Sequence, residues 1–423
     1  MTALPPGRHP ARGGETIAVI GGGMAGALAA LEAADRGASV VLFEADSSVL
    51  RHASRANEGK IHLGYVYAAD STGQTARRMI EGALEFRPII ERWVGARTFD
   101  AALTDPFDYL VPCDSQLPAE RLEAHLSVVD RLITEISNRS RRYLGVDRLP
   151  PWQRLDPSPY RMGPRDVVAA YTTPERAVDT FALADAIAAA IHQHPRICVR
   201  LGSVVRQCSI RKGGWSIQCD GPAATDHGPF RQVVNAAWAG RRQIDRNSGF
   251  DDGADWFTRF KFGVNIETGT AGTDLRNMTA FLGTYGDVVA YPSGRVYLSW
   301  YPAGMVSATT GPDMRPPQLS PAQTRRMHRQ TVANLSRLYP ALSDLPVPDF
   351  DRPHTVNGGF IVARGKSDID DTRSQLHERH AIGLHQMAPG YFTLDTGKYT
   401  TAPALAVATA DALLPRRLLH ATS

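Results

Sequence analysis

Gly21, Gly23 and Gly26 fall in a Gly-x-Gly-x-x-Gly spacing, with Met24 and Ala25 between the last two and Glu44 further on. Each glycine meets a different need: a tight turn at Gly21, close approach of a pyrophosphate to the backbone at Gly23, and helix–strand packing at Gly26. A helix starting there offers free N–H groups and a favourable dipole to phosphate oxygens. Glu44, with Ala45 beside it, is suited to accept from both ribose hydroxyls. The chemistry of this set is dinucleotide binding. A second set lies near the other end of the chain. Gly397-Lys398-Tyr399-Thr400-Thr401 opens a helix whose N–H groups can stabilise negative charge as it develops on a ligand.

The elements that must position these residues are readable around them. Ile17, Val19 and Ile20 make a short apolar strand, 27–34 a small-residue helix ended by Gly37, and 40–43 the next strand with Glu44 at its tip. A loop over 45–57 leads into Glu58-Gly59-Lys60-Ile61-His62. The spacing predicts helices over 75–94, 118–143 and 181–192, the last with Thr180 as N-cap, and strand and turn over 98–112. The proline-rich passage 149–164 suggests a crossing between domains. Residues 197–205 read as a strand, 207–210 and 215–219 as a hairpin, and 233–240 as a buried strand ending in small residues. Segments 260–268, 278–291 and 295–301 alternate as strands, with Pro292-Ser293-Gly294 turning one pair. Ser320-Pro321 starts a helix reaching 339, and 358–363 and 391–394 are short strands. Thr400 and Thr401 cap a final helix through 413.

With 423 residues, 43% hydrophobic and 21% charged, the chain reads as an ordinary globular protein of two domains. A net charge of +4 without a basic run interleaved with aromatics gives no case for nucleic acid. No apolar run reaches membrane-spanning length, residues 1–16 read as a flexible arm, and the expected location is cytoplasmic. Cys113, Cys198, Cys208 and Cys219 lack paired metal spacing and are expected as free thiols. His377-Glu378-Arg379-His380 lacks the second spacer of a zinc His-Glu-x-x-His motif, so no metal is expected. Of 47 basic residues only five are lysines: Lys60, Lys212, Lys261, Lys366 and Lys398. Lysine is compact and can lower its pKa when buried, which arginine cannot. Lys60 and Lys398 lie inside motif-like segments.

Only one Gly-x-Gly-x-x-Gly is present, whereas a dedicated nicotinamide domain would bring a second. Before the last helix the chain has Asp395-Thr396-Gly397-Lys398, not the Gly-Asp pair of enzymes that bind NADPH transiently. FAD reduced directly by an organic substrate is the simplest account, and an NAD-dependent dehydrogenase the competing one.

At this point the run from Ala53 to Tyr67, with Lys60-Ile61-His62-Leu63-Gly64, resembles L-2-hydroxyglutarate and glycerol-3-phosphate dehydrogenases of the D-amino-acid-oxidase-like FAD-dependent superfamily. The stretch Val234-Asn235-Ala236-Ala237-Trp238-Ala239-Gly240 is similar to the superfamily's second FAD signature, and Gly397-Lys398-Tyr399-Thr400-Thr401 to its Gly-Lys-Leu-Thr-Thr run. The resemblance implies an α/β fold: a Rossmann-type, glutathione-reductase-like FAD domain over 17–98, 165–242 and 355–423. An antiparallel-sheet α+β substrate domain over 99–164 and 243–354 interrupts it. It implies Ser54, Arg55 and Asn57 along the phosphates and ribityl chain, Val205 at adenine, Ala236 and Trp238 at the second signature, and Lys60 and His62 on the substrate side. The chain departs from the superfamily after Gly359, with Ala363-Arg364-Gly365-Lys366 where an Arg-Pro pair is often found. An amine needs only to be neutral, whereas an alcohol benefits from a base, for which His62 is the candidate. Arg364 is the candidate clamp for an anionic substrate group, and Lys60, Lys261 or Lys398 offers fixed charge for oxygen reduction. Tyr65, Tyr67, Tyr285, Trp300 and Tyr301 are expected pocket walls. The expected reaction is hydride transfer from a C–N bond of an amine or amino-acid-like molecule to flavin, with oxygen or another acceptor next. Its alternatives are C–OH oxidation of a 2-hydroxy acid or polyol phosphate, and a flavin-binding electron-transfer subunit.

Overall fold

Uncharged β-branched runs bury both faces, which suits parallel strands with helices above them. A computed structural model of the chain describes residues 16–137, 141–161, 163, 166–220, 225–251, 253–269, 274–282, 286–309, 315–369, 371 and 374–415. Among these, six strands form one sheet in the order Gly383–Ala388, Tyr391–Asp395, Gln232–Asn235, Thr16–Ile20, Ser39–Phe43, Ile197–Arg200. All neighbours are parallel except Gly383–Ala388, which returns antiparallel along one edge. The helix Met24–Asp35 is buried along nearly its whole length because its alanines let it lie flat between the sheet and the helices Thr180–Gln193 and Ala402–Leu413. The opposite face is covered by a three-stranded antiparallel sheet, Val205–Arg211, Gly214–Cys219 and Thr225–Phe230. There Cys208, Trp215 and Ile217 pack on Ala18, Val41 and Phe43. Cys208 and Cys219 lie on neighbouring strands as free thiols.

A second, mostly antiparallel sheet is built around the long strand Trp256–Glu267. The helix Pro321–Leu338 packs its Leu335 and Leu338 on Val264, Ile266 and Leu298 of this sheet. Its start is the expected one, with Ser320 as N-cap closing a capping box with Gln323.

Several expectations are corrected. Val167–Thr172 and Val356–Arg364, in segments expected in the FAD domain, pair inside the second sheet. The latter runs against Trp256–Glu267 from Trp256↔Arg364 to Val264↔Val356, a long-range ladder that no local pattern announces. The segment 98–112 begins in a helix, Ala96–Ala102, before the strand Phe107–Pro112. The helix expected over 118–143 ends at Ile136, and the single strand over 278–291 is two paired strands, Asn277–Ala280 and Gly286–Ala290. Tyr285 and the arm 1–15 lie outside the described residues. No helix among the described residues is long and apolar enough to cross a membrane.

The N-cap of Thr180–Gln193 is Asp179, not Thr180. Its Oδ1 accepts from Phe181 N at 2.9 Å and from Arg295 Nη2 at 2.6 Å, and Oδ2 accepts from Ser293 Oγ at 2.6 Å. One buried carboxylate therefore joins a helix of the parallel layer to the turn and strand of the second sheet. Asp179→Ala removes the cap and leaves the Arg295 guanidinium buried without its partner. We expect a loss of about 3–5 kcal/mol in urea unfolding, the range for breaking one side of a buried pair.

Candidate active site

The turn after Thr16–Ile20 is set by backbone sterics. Gly21 sits at φ +95°, and a Cβ there would stand 2.7 Å from Ala236 O. A Cβ on Gly26 would stand 1.9 Å from Gly21 O, so helix and turn touch only because both residues are glycine. Glu44 reaches back from the next strand: Oε2 accepts from Gly22 N at 2.7 Å and Oε1 from Asp46 N at 2.8 Å. Ser54 Oγ accepts from Met24 N at 3.0 Å, tying the 45–57 loop to the helix start.

A cleft of about 540 Å³ opens above this turn. Gly21, Gly23, Met24, Ala25, Glu44 and Ala45 line it, with Ser54 and Asn57 from the loop. Val205, Ala236 and Trp238 line it from the neighbouring strands, and Gly397, Lys398 and Tyr399 from the C-terminal turn. The amino-terminal and carboxy-terminal glycine turns thus share one cavity. Both helices that begin there, Met24–Asp35 and Ala402–Leu413, lack a side-chain cap, leaving backbone donors for a ligand. Trp238 holds φ +47° and donates from Nε1 to Phe360 O at 2.8 Å, which links this segment to the second sheet.

One end of the cleft is lined by Glu58, Lys60, His62, Lys261 and Lys398. Lys60 and Ile61 pair with Ala177 and Arg176, so the next residues, His62 and Glu175, meet side by side. His62 Nδ1 lies 3.4 Å from Glu175 Oε1, and Nε2 lies 3.9 Å from Glu58 Oε1. His62 N donates to Thr400 Oγ1 at 2.9 Å, stapling this segment to the C-terminal turn. Burial pushes the His62 imidazole below its ordinary range although Glu175 pulls the other way. Burial raises the Glu58 carboxyl, but Lys261, Lys398 and His62 outweigh it and hold Glu58 ionised. Lys261 Nζ is 3.9 Å from Glu58 Oε2 and 4.4 Å from the Tyr301 ring centre. Burial lowers Lys261, yet Tyr297, Tyr301, Glu58 and Asp287 hold it well above the usual lysine range. Lys398 has weaker compensation, and burial brings it down to about 8.

Some expected residues sit elsewhere. Arg364 does not line the cleft: it lies over Trp256, 5.2 Å from the ring centre, beside a smaller cavity with Arg241 and Asp395. The expectation of a substrate clamp at Arg364 is therefore corrected, since its strand position turns it toward Trp256. Arg55 points away to Asp185 and Leu50 O, and Thr400 is buried behind the lining. Lys60 is ion-paired with Asp287 at 3.0 Å, its ammonium 4.2 Å from the Phe107 ring centre. Tyr301 lines the cleft, while Tyr65 is buried with its hydroxyl on Asp130. Glu58, Glu175 and Asp287 went unassigned in the sequence. Glu58 lay within the quoted motif, two residues before Lys60, and could have been found there.

Residues 16–412 match the family model described as DAO, FAD dependent oxidoreductase. The chain belongs to this family, it is an FAD-dependent oxidoreductase, and FAD is its cofactor. No curated protein sequence matches the chain. The fold is similar to that of glycine oxidase from Geobacillus kaustophilus, at 16% identity and TM-score 0.65, covering 94% of this chain and 93% of that one. It is likewise similar to iminodiacetate oxidase from Chelativorans sp. BNC1, at 16% identity and TM-score 0.65, covering 94% and 95%. L-α-glycerophosphate oxidase from Mycoplasma pneumoniae, solved with FAD bound, is similar at 18% identity and TM-score 0.63, covering 95% of both chains.

Gly26→Ala places a methyl group against Gly21 O and must open the turn. We expect FAD affinity to fall by roughly tenfold or more, about 1.4 kcal/mol, read from flavin absorbance retained after gel filtration and from titration of the apoprotein.

Proposed function

We propose that this enzyme oxidises the C–N bond of an amine or amino-acid-like small molecule in an FAD-dependent reaction that ends in the reduction of oxygen. The observation that carries the reading is the grouping of an ionised carboxylate, Glu58, and a neutral imidazole, His62, with the cations Lys261 and Lys398 at one end of the cleft. A zwitterion matches it: the ammonium faces Glu58 and His62, and the anionic group faces the lysines. The substrate amine must first lose a proton, and His62 Nε2 is the acceptor on that side. FAD, when bound, supplies the hydride acceptor. Loss of hydride from carbon and of the N–H proton leaves an imine, which water cleaves to a carbonyl compound and an amine or ammonia. Gly21, Gly23 and the first turn of Met24–Asp35 hold the pyrophosphate, Glu44 the ribose, and the Gly397–Tyr399 turn the flavin. Lys261 provides fixed positive charge where oxygen reduction builds negative charge. Oxidases of glycine and of iminodiacetate among the similar structures support C–N chemistry.

A second reading, oxidation of a C–OH bond in a 2-hydroxy acid or polyol phosphate, is favoured by the carboxylate behind His62, because an alcohol needs a stronger base than an amine does. The glycerophosphate oxidase likeness supports it.

Anaerobic mixing of the FAD-loaded protein with glycine, iminodiacetate, L-proline, L-α-glycerophosphate and L-2-hydroxyglutarate tests both. We expect an amine to bleach the flavin, with ammonia or amine in the product and peroxide on admitting oxygen. Bleaching by the hydroxy compounds alone selects the second reading, and bleaching by none counts against both. A base must be neutral to act, and burial depresses the His62 pKa from 6.5. The acid limb of kcat/KM therefore lies below the ordinary histidine range, with activity lost as pH falls through it. His62→Gln removes that limb and lowers the rate of flavin reduction about 100-fold.

A further inference from the structure

We infer that Glu175 is a positioning residue of this site: it holds the His62 ring with the proton on Nδ1 and thereby makes Nε2 the acceptor that faces the cleft. The inference rests on His62 being the base.

Glu175 is fully buried, in the short link between Val167–Thr172 and the strand Arg176–Ala177. The Lys60↔Ala177 and Ile61↔Arg176 register delivers it opposite His62 from a distant part of the chain. Its Oε2 accepts from Leu63 N at 2.6 Å and Oε1 accepts from Tyr109 Oη at 2.5 Å. These two bonds fix the carboxylate, and Oε1 still presents a lone pair to His62 Nδ1 at 3.4 Å. The other groups facing the ring are Glu58 at Nε2, the Tyr67 ring at 5.5 Å, and the ammonium groups of Lys60 and Lys398.

The choice of tautomer follows from simple electrostatics. Nδ1 is buried and makes no hydrogen bond of good geometry; the Glu175 carboxylate 3.4 Å away is the charged group beside it, closer than Glu58 is to Nε2 at 3.9 Å. With the proton on Nδ1, a donor faces a carboxylate oxygen. With the proton on Nε2, a nitrogen lone pair faces that oxygen in a site that water does not reach, which is repulsive. Glu175 stays ionised because His62, Lys60 and Tyr109 together outweigh the effect of burial. When Nε2 takes a proton, the same carboxylate stabilises the imidazolium, as the buried acid does in serine-protease triads.

The test uses FAD-loaded protein labelled with ¹⁵N-histidine, with His62→Gln to assign the His62 signals. Wild type should show the Nδ1–H tautomer. Glu175→Gln should move the proton to Nε2, lower the His62 pKa, and slow flavin bleaching about 100-fold. The reductant is glycine, or L-α-glycerophosphate if only hydroxy compounds react. Tyr109→Phe, which removes one hydrogen bond to the carboxylate but leaves its charge in place, should keep the wild-type tautomer. If Glu175→Gln does not fold, Glu175→Asp, which retains the charge, should keep Nδ1 protonated. A slower Glu175→Gln enzyme with unchanged tautomer overturns the inference, since a packing defect suffices. Failure of the underlying reading looks different: His62→Gln then bleaches at the wild-type rate, and Glu175→Gln shifts the tautomer with no loss of rate.

Discussion

One row of parallel rungs carries the site. Ile20 pairs with Asn235 and Asn235 with Thr393, so two strands end on one rung and the third runs two residues past it, to Asp395. The turns that follow them, at Gly21, at Ala236–Trp238 and at Thr396–Lys398, therefore open on one side of the sheet. That is the carboxyl edge, where open α/β sheets bind ligands. Asn235 is fully buried and terminates its strand with its own side chain. Nδ2 donates to Arg241 O at 2.9 Å and to Asp245 Oδ1 at 2.8 Å. Asp245 also accepts from Tyr391 Oη and Thr393 Oγ1, each at 2.8 Å, so the next strand is held in the same network. A slip of one residue would turn every apolar side chain of a strand to the wrong face and separate the glycine turns.

The second sheet is joined to that edge through charge. Lys60 reaches from the motif segment to Asp287, and Tyr291 Oη donates to Glu58 O at 3.1 Å. Asp179 ties the helix Thr180–Gln193 to Arg295 in the same way. Pairs of this kind add little net stability over apolar packing, but losing one partner is expensive. They fix which residues of the two sheets face each other. The cleft end is thus a seam where neither sheet alone supplies the chemistry: His62 and Lys398 come from one side, Lys261 and Asp287 from the other.

What the sequence revealed and what it hid divide along contact distance. The Gly21–Gly26 turn, Glu44 and the Ser320 cap were readable because each depends on neighbours within a strand or a helical turn. The sequence does not show that Val356–Arg364 and Val167–Thr172 pair within the second sheet, because pairing partners carry no local mark. The placement of Arg364 is hidden for a related reason: a strand alternates its faces, and only the register with Trp256 says which face looks into the cleft. Glu175 and Asp287 meet the motif segment across 112 and 227 residues of chain. An isolated acid in a strand or link gives no sign that it will be a histidine's or a lysine's partner.

The scarcity of lysine has a physical counterpart in the cleft. Three of the five lysines converge there, and each meets a different environment. Lys60 is spent on Asp287, and Lys261 is kept charged by Glu58 and its tyrosine neighbours. Lys398 has no carboxylate within ion-pairing distance among the described residues, and burial together with Arg379, Lys261 and Arg259 brings it down to about 8. A guanidinium at that position would stay charged throughout and would need room for a planar fork. An ammonium brought down to about 8 can instead lose its proton, so Lys398 adds a titratable charge beside the fixed charge of Lys261. That is a property a run of arginines could not provide.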